Sequence, residues 1–149
     1  MRSPRRAGVT VSLVLAMGLL WAGGGTSVAQ PGDSTPAPVI TTLAERPEAQ
    51  GVTPFTDNPA IVDSRAQAIE SWSRLPDDRV ITVHFTTGTP ACHGVYADVQ
   101  ETADIVAVKL RSGVLPEAVG RACTMIAVFG TLMLKLDSPV GNRAVVSIT

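Results

Sequence analysis

The run Arg79–Gly88, RVITVHFTTG, places Ile81, Val83 and Phe85 on one side of an extended chain and Val80, Thr82 and His84 on the other. Successive strand side chains point to opposite faces, and β-branched residues suit that geometry, so such a run becomes a strand with one buried face. The pattern recurs. GVYADVQETADIVAVKLRSG divides around Thr102–Asp104 into a strand that buries Val95, Ala97 and Val99 and another that buries Val106, Val108 and Leu110, with Ala107, Lys109 and Arg111 outward. Two alternating runs joined by a short polar link predict a hairpin. TLMLKLDSPVGNRAVVSIT closes the chain alike: Leu132, Leu134 and Leu136 alternate with Thr131, Met133 and Lys135, a Pro/Gly turn follows, and Val146 with Ile148 ends a last strand. Short alternating runs punctuated by Gly and Pro predict a mostly β domain, an antiparallel sandwich or partly open barrel of about six or seven strands.

Two stretches leave room for helix. Pro116 as a first helical residue, followed by Glu117, suits one short turn ending near Gly120. Asn58 and Pro59 make a good helix opening, yet Ala66, Ala68 and Trp72 fit a period of two. The expectation is an irregular or helical turn over 59–64 and an extended segment over 66–73. The uncharged run Ala122–Leu134 is too short to span a bilayer and reads as buried core, with Met125 and Met133 as gap-fillers.

The first 54 residues have a different character. Arg2, Arg5 and Arg6 precede an uncharged run of 14 residues, Val9 to Ala22, and Ser27-Val28-Ala29 supplies small side chains at a cleavage position. Residues 1–29 therefore read as a signal peptide, with an uncleaved anchor as the alternative. Residues 30–54 hold five prolines and two glycines. Few apolar side chains offset the ordering entropy there, which predicts a disordered or extended linker before a compact domain over 55–149. Removing the three leader arginines from twelve basic residues leaves nine against thirteen acids, a net charge of −4. That balance argues against nucleic acid and anionic membrane as partners, since both need dense Lys and Arg.

Cys92 and Cys123 are the only cysteines, and both belong to the exported part. An even count in an oxidising compartment predicts a disulfide, worth about 3.7 kcal/mol on the chain-entropy argument for a loop of roughly 32 residues. A disulfide removes Cys92 as a nucleophile for His84 or His93. Ser71 or Ser73 with His84 and Asp98 contains the atoms of a hydrolytic triad, but no Gly-x-Ser-x-Gly elbow marks either serine. His84, Cys92, His93 and Met125 or Met133 contain the atoms of a copper site, but adjacent residues of an extended chain point apart. No metal, cofactor or catalytic residue is assigned, and His84 on the polar face of its strand reads as solvated. Trp72, His84, His93 and Tyr96 are left as a candidate binding surface, although Trp72 carries enough apolar area to favour the core.

SWSRLPDDRVITVHFTTGTPACHGVYADVQET, VKLRSG, PEAVGRAC and LDSPVGNRAVV resemble a group of small exported proteins of actinobacteria, including mycobacteria. The shared pattern is a strand, a Cys-x-Gly turn, a hairpin, a second cysteine and a closing L-x-x-P-x-G-x-R, here Cys92, Gly94, Cys123, Leu136, Pro139, Gly141 and Arg143. The likeness covers residues 66–148 and implies export and an extended 66–73, but no activity. Ala29 stands where lipid-anchored members carry a cysteine. The expectation is an extracytoplasmic, non-enzymatic domain that binds a protein or glycan of the cell envelope. The alternative is a metal-handling or hydrolytic protein using His84 and His93.

Overall fold

The computed structural model describes residues 37–149. The expected signal peptide and the start of the expected linker lie outside the described residues. The described residues form nine strands: β1 Ile40–Thr42, β2 Thr53–Phe55, β3 Val62–Ala66, β4 Ser71–Arg74, β5 Val80–Gly88, β6 His93–Glu101, β7 Ile105–Val114, β8 Ala127–Lys135 and β9 Ala144–Ile148. A single 3₁₀ turn, Pro116–Ala118, is the only helical element among the described residues.

The strands form two sheets. In the first, β7 pairs along one edge with β6 in the predicted hairpin, while its other edge is shared by β3 and β9, with β1 beyond β9. The second has the order β2-β8-β5-β4. Most pairs are antiparallel, but β7–β9 and β2–β8 are parallel, a departure from the all-antiparallel expectation. The inner faces supply the core: Ile81, Val83 and Phe85 of β5 and Leu132 and Leu134 of β8 meet Val95, Val106, Val108 and Leu110 of the first sheet. These are the residues alternation selected. Ala107, expected outward, is buried because its short side chain lies between Gln100 and Val146 on the flanking strands.

Residues 59–66 are not helical. Asn58 accepts the Ala60 N–H in a tight turn, and Asp63 takes a left-handed φ of 51° where β3 slips register against β7. A bulge of this kind re-aims a strand without ending it.

The largest correction concerns the expected linker. Residues 40–58 form a belt around the second sheet. β1 pairs with β9, and Leu43, 7% exposed, enters the core while its N–H donates to the Val145 carbonyl. Arg46 and Ala44 then bond the main chain of Trp72, on the β4 edge of the second sheet. Residues 47–52 cross the outer face to the opposite edge, where β2 pairs with β8. Asp57 finally bridges to Val95 of β6. The domain thus begins well before residue 55. Phe55 packs against Phe85 with ring centroids 5.5 Å apart and planes tilted by 58°, beside Gly130, where a Cβ would lie 2.6 Å from Phe85 and 2.9 Å from Phe55.

The closing L-x-x-P-x-G-x-R pattern is structural. Arg143 donates to Glu101 at 2.7 Å and to the Ser138 and Pro139 carbonyls at 2.7 and 2.8 Å, while Glu101 accepts the Asp137 N–H at 2.6 Å. Burial raises the Glu101 pKa, but the hydrogen bonds from Arg143, Asp137 and Ser138 outweigh it and hold the carboxyl below its ordinary value. Gly141 takes a φ of 49° and closes the turn.

Candidate binding surface

The expected disulfide is present. Cys92 and Cys123 are joined with their Cα atoms 6.1 Å apart, and no free cysteine remains. The bridge ties the segment after the 3₁₀ turn to the β5–β6 connection. It holds out in solvent the run that apolar composition had assigned to the core. Met125 is 99% exposed, Ile126 is exposed, and Phe129 and Met133 are 67% and 66% exposed. The alternation of β8 explains this: Gly130, Leu132 and Leu134 face inward, so Phe129, Thr131 and Met133 share the outer face. Large apolar side chains left in water at this density mark a candidate interaction surface. The signal was legible in the period of two, but an uncharged run obscures which of its two faces is buried.

The four residues proposed from sequence do not converge. Trp72 is 4% exposed and belongs to the core, with the Arg74 guanidinium over its ring at 5.3 Å. Tyr96, half-buried, lies on the outer face of the first sheet opposite Arg111. His93 stands at the end of the sandwich with its ring against Gly88. His84 is on the outer face of the second sheet, but it is buried rather than solvated, because the belt crosses above it.

His84 forms part of a cavity of about 350 Å³ between the belt and the sheet, with Arg46, Gln50, Glu70 and Ser71 as polar lining and Pro47, Val52 and Phe129 as apolar lining. Its Nε2 and the Ser73 hydroxyl are 2.7 Å apart, and its Nδ1 has no partner among the described residues. Burial lowers the His84 pKa below its ordinary value, against the opposing pull of Glu48 and Glu70. Glu70 itself accepts the Thr86 hydroxyl at 2.6 Å. The Ser73–His84 pair does not extend to Asp98, which lies on β6 in the other sheet, and Ser73 is fully buried. His84 and His93 line different cavities, so one metal ion or one reaction cannot draw on both without rearrangement. Among the described residues no group of three or more His, Cys, Asp or Glu side chains is placed to hold a metal ion.

No protein-family profile matches the chain, and no curated protein or solved structure is similar to it.

Proposed function

We propose that this protein is an extracytoplasmic, non-enzymatic domain that binds a protein of the cell envelope through the outer face of β8 and the segment leading into it. The observation that carries the reading is the exposure of Met125, Ile126, Phe129 and Met133 on a domain whose other strand-borne apolar residues mostly pack inward. Leaving such side chains in water costs roughly 1.5–3 kcal/mol each relative to burying them, and a partner recovers that free energy. The disulfide supports an oxidising compartment, in line with the leader-like first 29 residues. A protein partner is favoured over a glycan because flexible Met and apolar Ile suit apolar side chains, and Trp72, which could stack on a sugar ring, is buried.

A photo-crosslinking amino acid at position 129, in the chain expressed in its host, tests the reading. It predicts one dominant protein adduct from position 129 and none from position 109 on the other sheet. A glycan adduct, or equal labelling from both positions, rejects it.

A further inference from the structure

The side of the sandwich between β6 and β8 is sealed over only part of its length. Where it is sealed, a single extended segment serves both sheets: Thr53–Phe55 pairs with β8, and two residues later Asp57 bridges to Val95 of β6. Stacked sheets lie about 10 Å apart and paired strands about 4.8 Å apart, so the gap between two facing edges is the width of one strand. At Asn58 the chain turns away towards β3. Beyond that point a cleft of about 450 Å³ remains between β6 and β8, lined by Ala97, Val99, Leu132, Met133, Leu134 and Lys135 next to Phe55–Asp57.

Among the described residues, both walls of this cleft are main chain without a strand partner. On β6 the Val95 carbonyl accepts the Asn58 N–H and the Ala97 N–H donates to the Asp57 carboxylate, so odd-numbered groups point away from β7. Continuing that alternation, the Val99 N–H and C=O face the cleft without a main-chain partner among the described residues. On β8 the Leu136 N–H donates to the Arg79 carbonyl, so even-numbered groups point to β5 and the Lys135 N–H and C=O face the cleft. Edges left open are normally guarded by charge on the edge, above all lysine, by inward-pointing charge, by proline or by a bulge. Lys135 is such an edge charge, with its side chain on the outer face of β8. Here the inward residues are Ala97, Val99, Leu132 and Leu134, and the cleft stretch of neither strand contains proline.

We infer that this cleft receives a short extended segment of the partner polypeptide, inserted as a strand between β6 and β8 in line with Thr53–Asp57. The inference rests on the binding-domain reading above and names the partner's chemistry: main chain free to bond on both sides, with small apolar side chains turned inward. Asp57 bounds the cleft at one end and the Glu101–Asp137 hydrogen bond at the other. That length admits about four residues at ~3.3 Å each. One face of the inserted strand would lie beside Met133, continuous with the exposed strip.

The test is selection from a phage-displayed library of random seven-residue peptides on the full chain, with depletion on Lys135→Pro. That substitution removes an edge donor but no bond to β5, so the fold is retained. Enriched peptides should lack proline, alternate small apolar residues, protect the Val99 and Lys135 amides from hydrogen exchange, and lose at least tenfold in affinity to Lys135→Pro. Independently of that variant, N-methylation of any of the four central peptide amides should cost at least tenfold, because successive amides bond to opposite edges. Failure to enrich, or peptides indifferent to both changes, overturns the inference. Peptides lost on Phe129→Ser alone overturn it while leaving the binding-domain reading intact. Protection of the two amides in the peptide-free chain also overturns it. Protection that survives dilution assigns the cleft to residues before 37, and protection lost on dilution assigns it to a second copy.

Discussion

His84 shows how one side chain can join two parts of a fold. Its imidazole is enclosed between β5 and the belt and bonded to Ser73, and burial there disfavours its charged form against the pull of Glu48 and Glu70. In the unfolded chain it titrates near its ordinary 6.5. The folded value is lower, so between the two the unfolded state takes up a proton that the folded state does not. Its contribution is therefore complete above pH ~6.5 and is lost as pH falls through the depressed folded value. The expected outcome is a urea midpoint that declines on acidification below pH ~6.5, with a smaller decline for His84→Gln, whose amide can still bond Ser73 and carries no titrating group. Equal declines in both proteins would show that His84 is not the group responsible.

At the scale of elements the belt has the greatest effect. β1 and β2 are three residues each, too short to stand alone, yet they lie on opposite sheets and fix where the intervening segment must cross. Leu43 is the point at which that segment enters the core. Leu43→Ala removes buried methyl groups at a site with little freedom to collapse, and its expected cost is about 2–4 kcal/mol in urea unfolding. A cost below roughly 0.5 kcal/mol, ordinary for an exposed position, would place residues 40–46 outside the folded unit. The same belt accounts for His84: a strand face that reads as polar becomes interior once a distant segment covers it.

Across the whole molecule, stability depends on long-range pairing and on one covalent tie. The disulfide closes a loop between residues 31 apart, anchoring the exposed segment that leads into β8. Replacing both cysteines by serine is expected to lower unfolding stability by about 3.7 kcal/mol through loop entropy, a large share of the 5–15 kcal/mol usual for a domain. The measurement is the urea midpoint of the double variant against the oxidised parent. The loss should come with faster hydrogen exchange over residues 119–128 if the bridge also orders that segment. An unchanged midpoint would mean that β5–β8 pairing alone carries the stability assigned to the bridge.

The long strands, the β6–β7 hairpin and the cysteine pair were legible in the sequence because each is a local or combinatorial property. Alternation selects the inward residues of β5, β7 and β8 whatever packs against them, and two cysteines allow one intramolecular pairing. The belt was not legible, because Ile40–Thr42 and Thr53–Phe55 are held by Ile148 and Leu132 rather than by any pattern of their own. Nor was the placement of His84 or Met125, and for Met133 alternation gave the outward face but not its exposure: whether an outward side chain is covered depends on segments far away in the chain. The primary sequence thus determined which residues form the long strands and which sulfurs join. The tertiary structure alone decided which outer faces are buried, which stay in water and which edges are left open, because burial is a relation between elements and belongs to no single run.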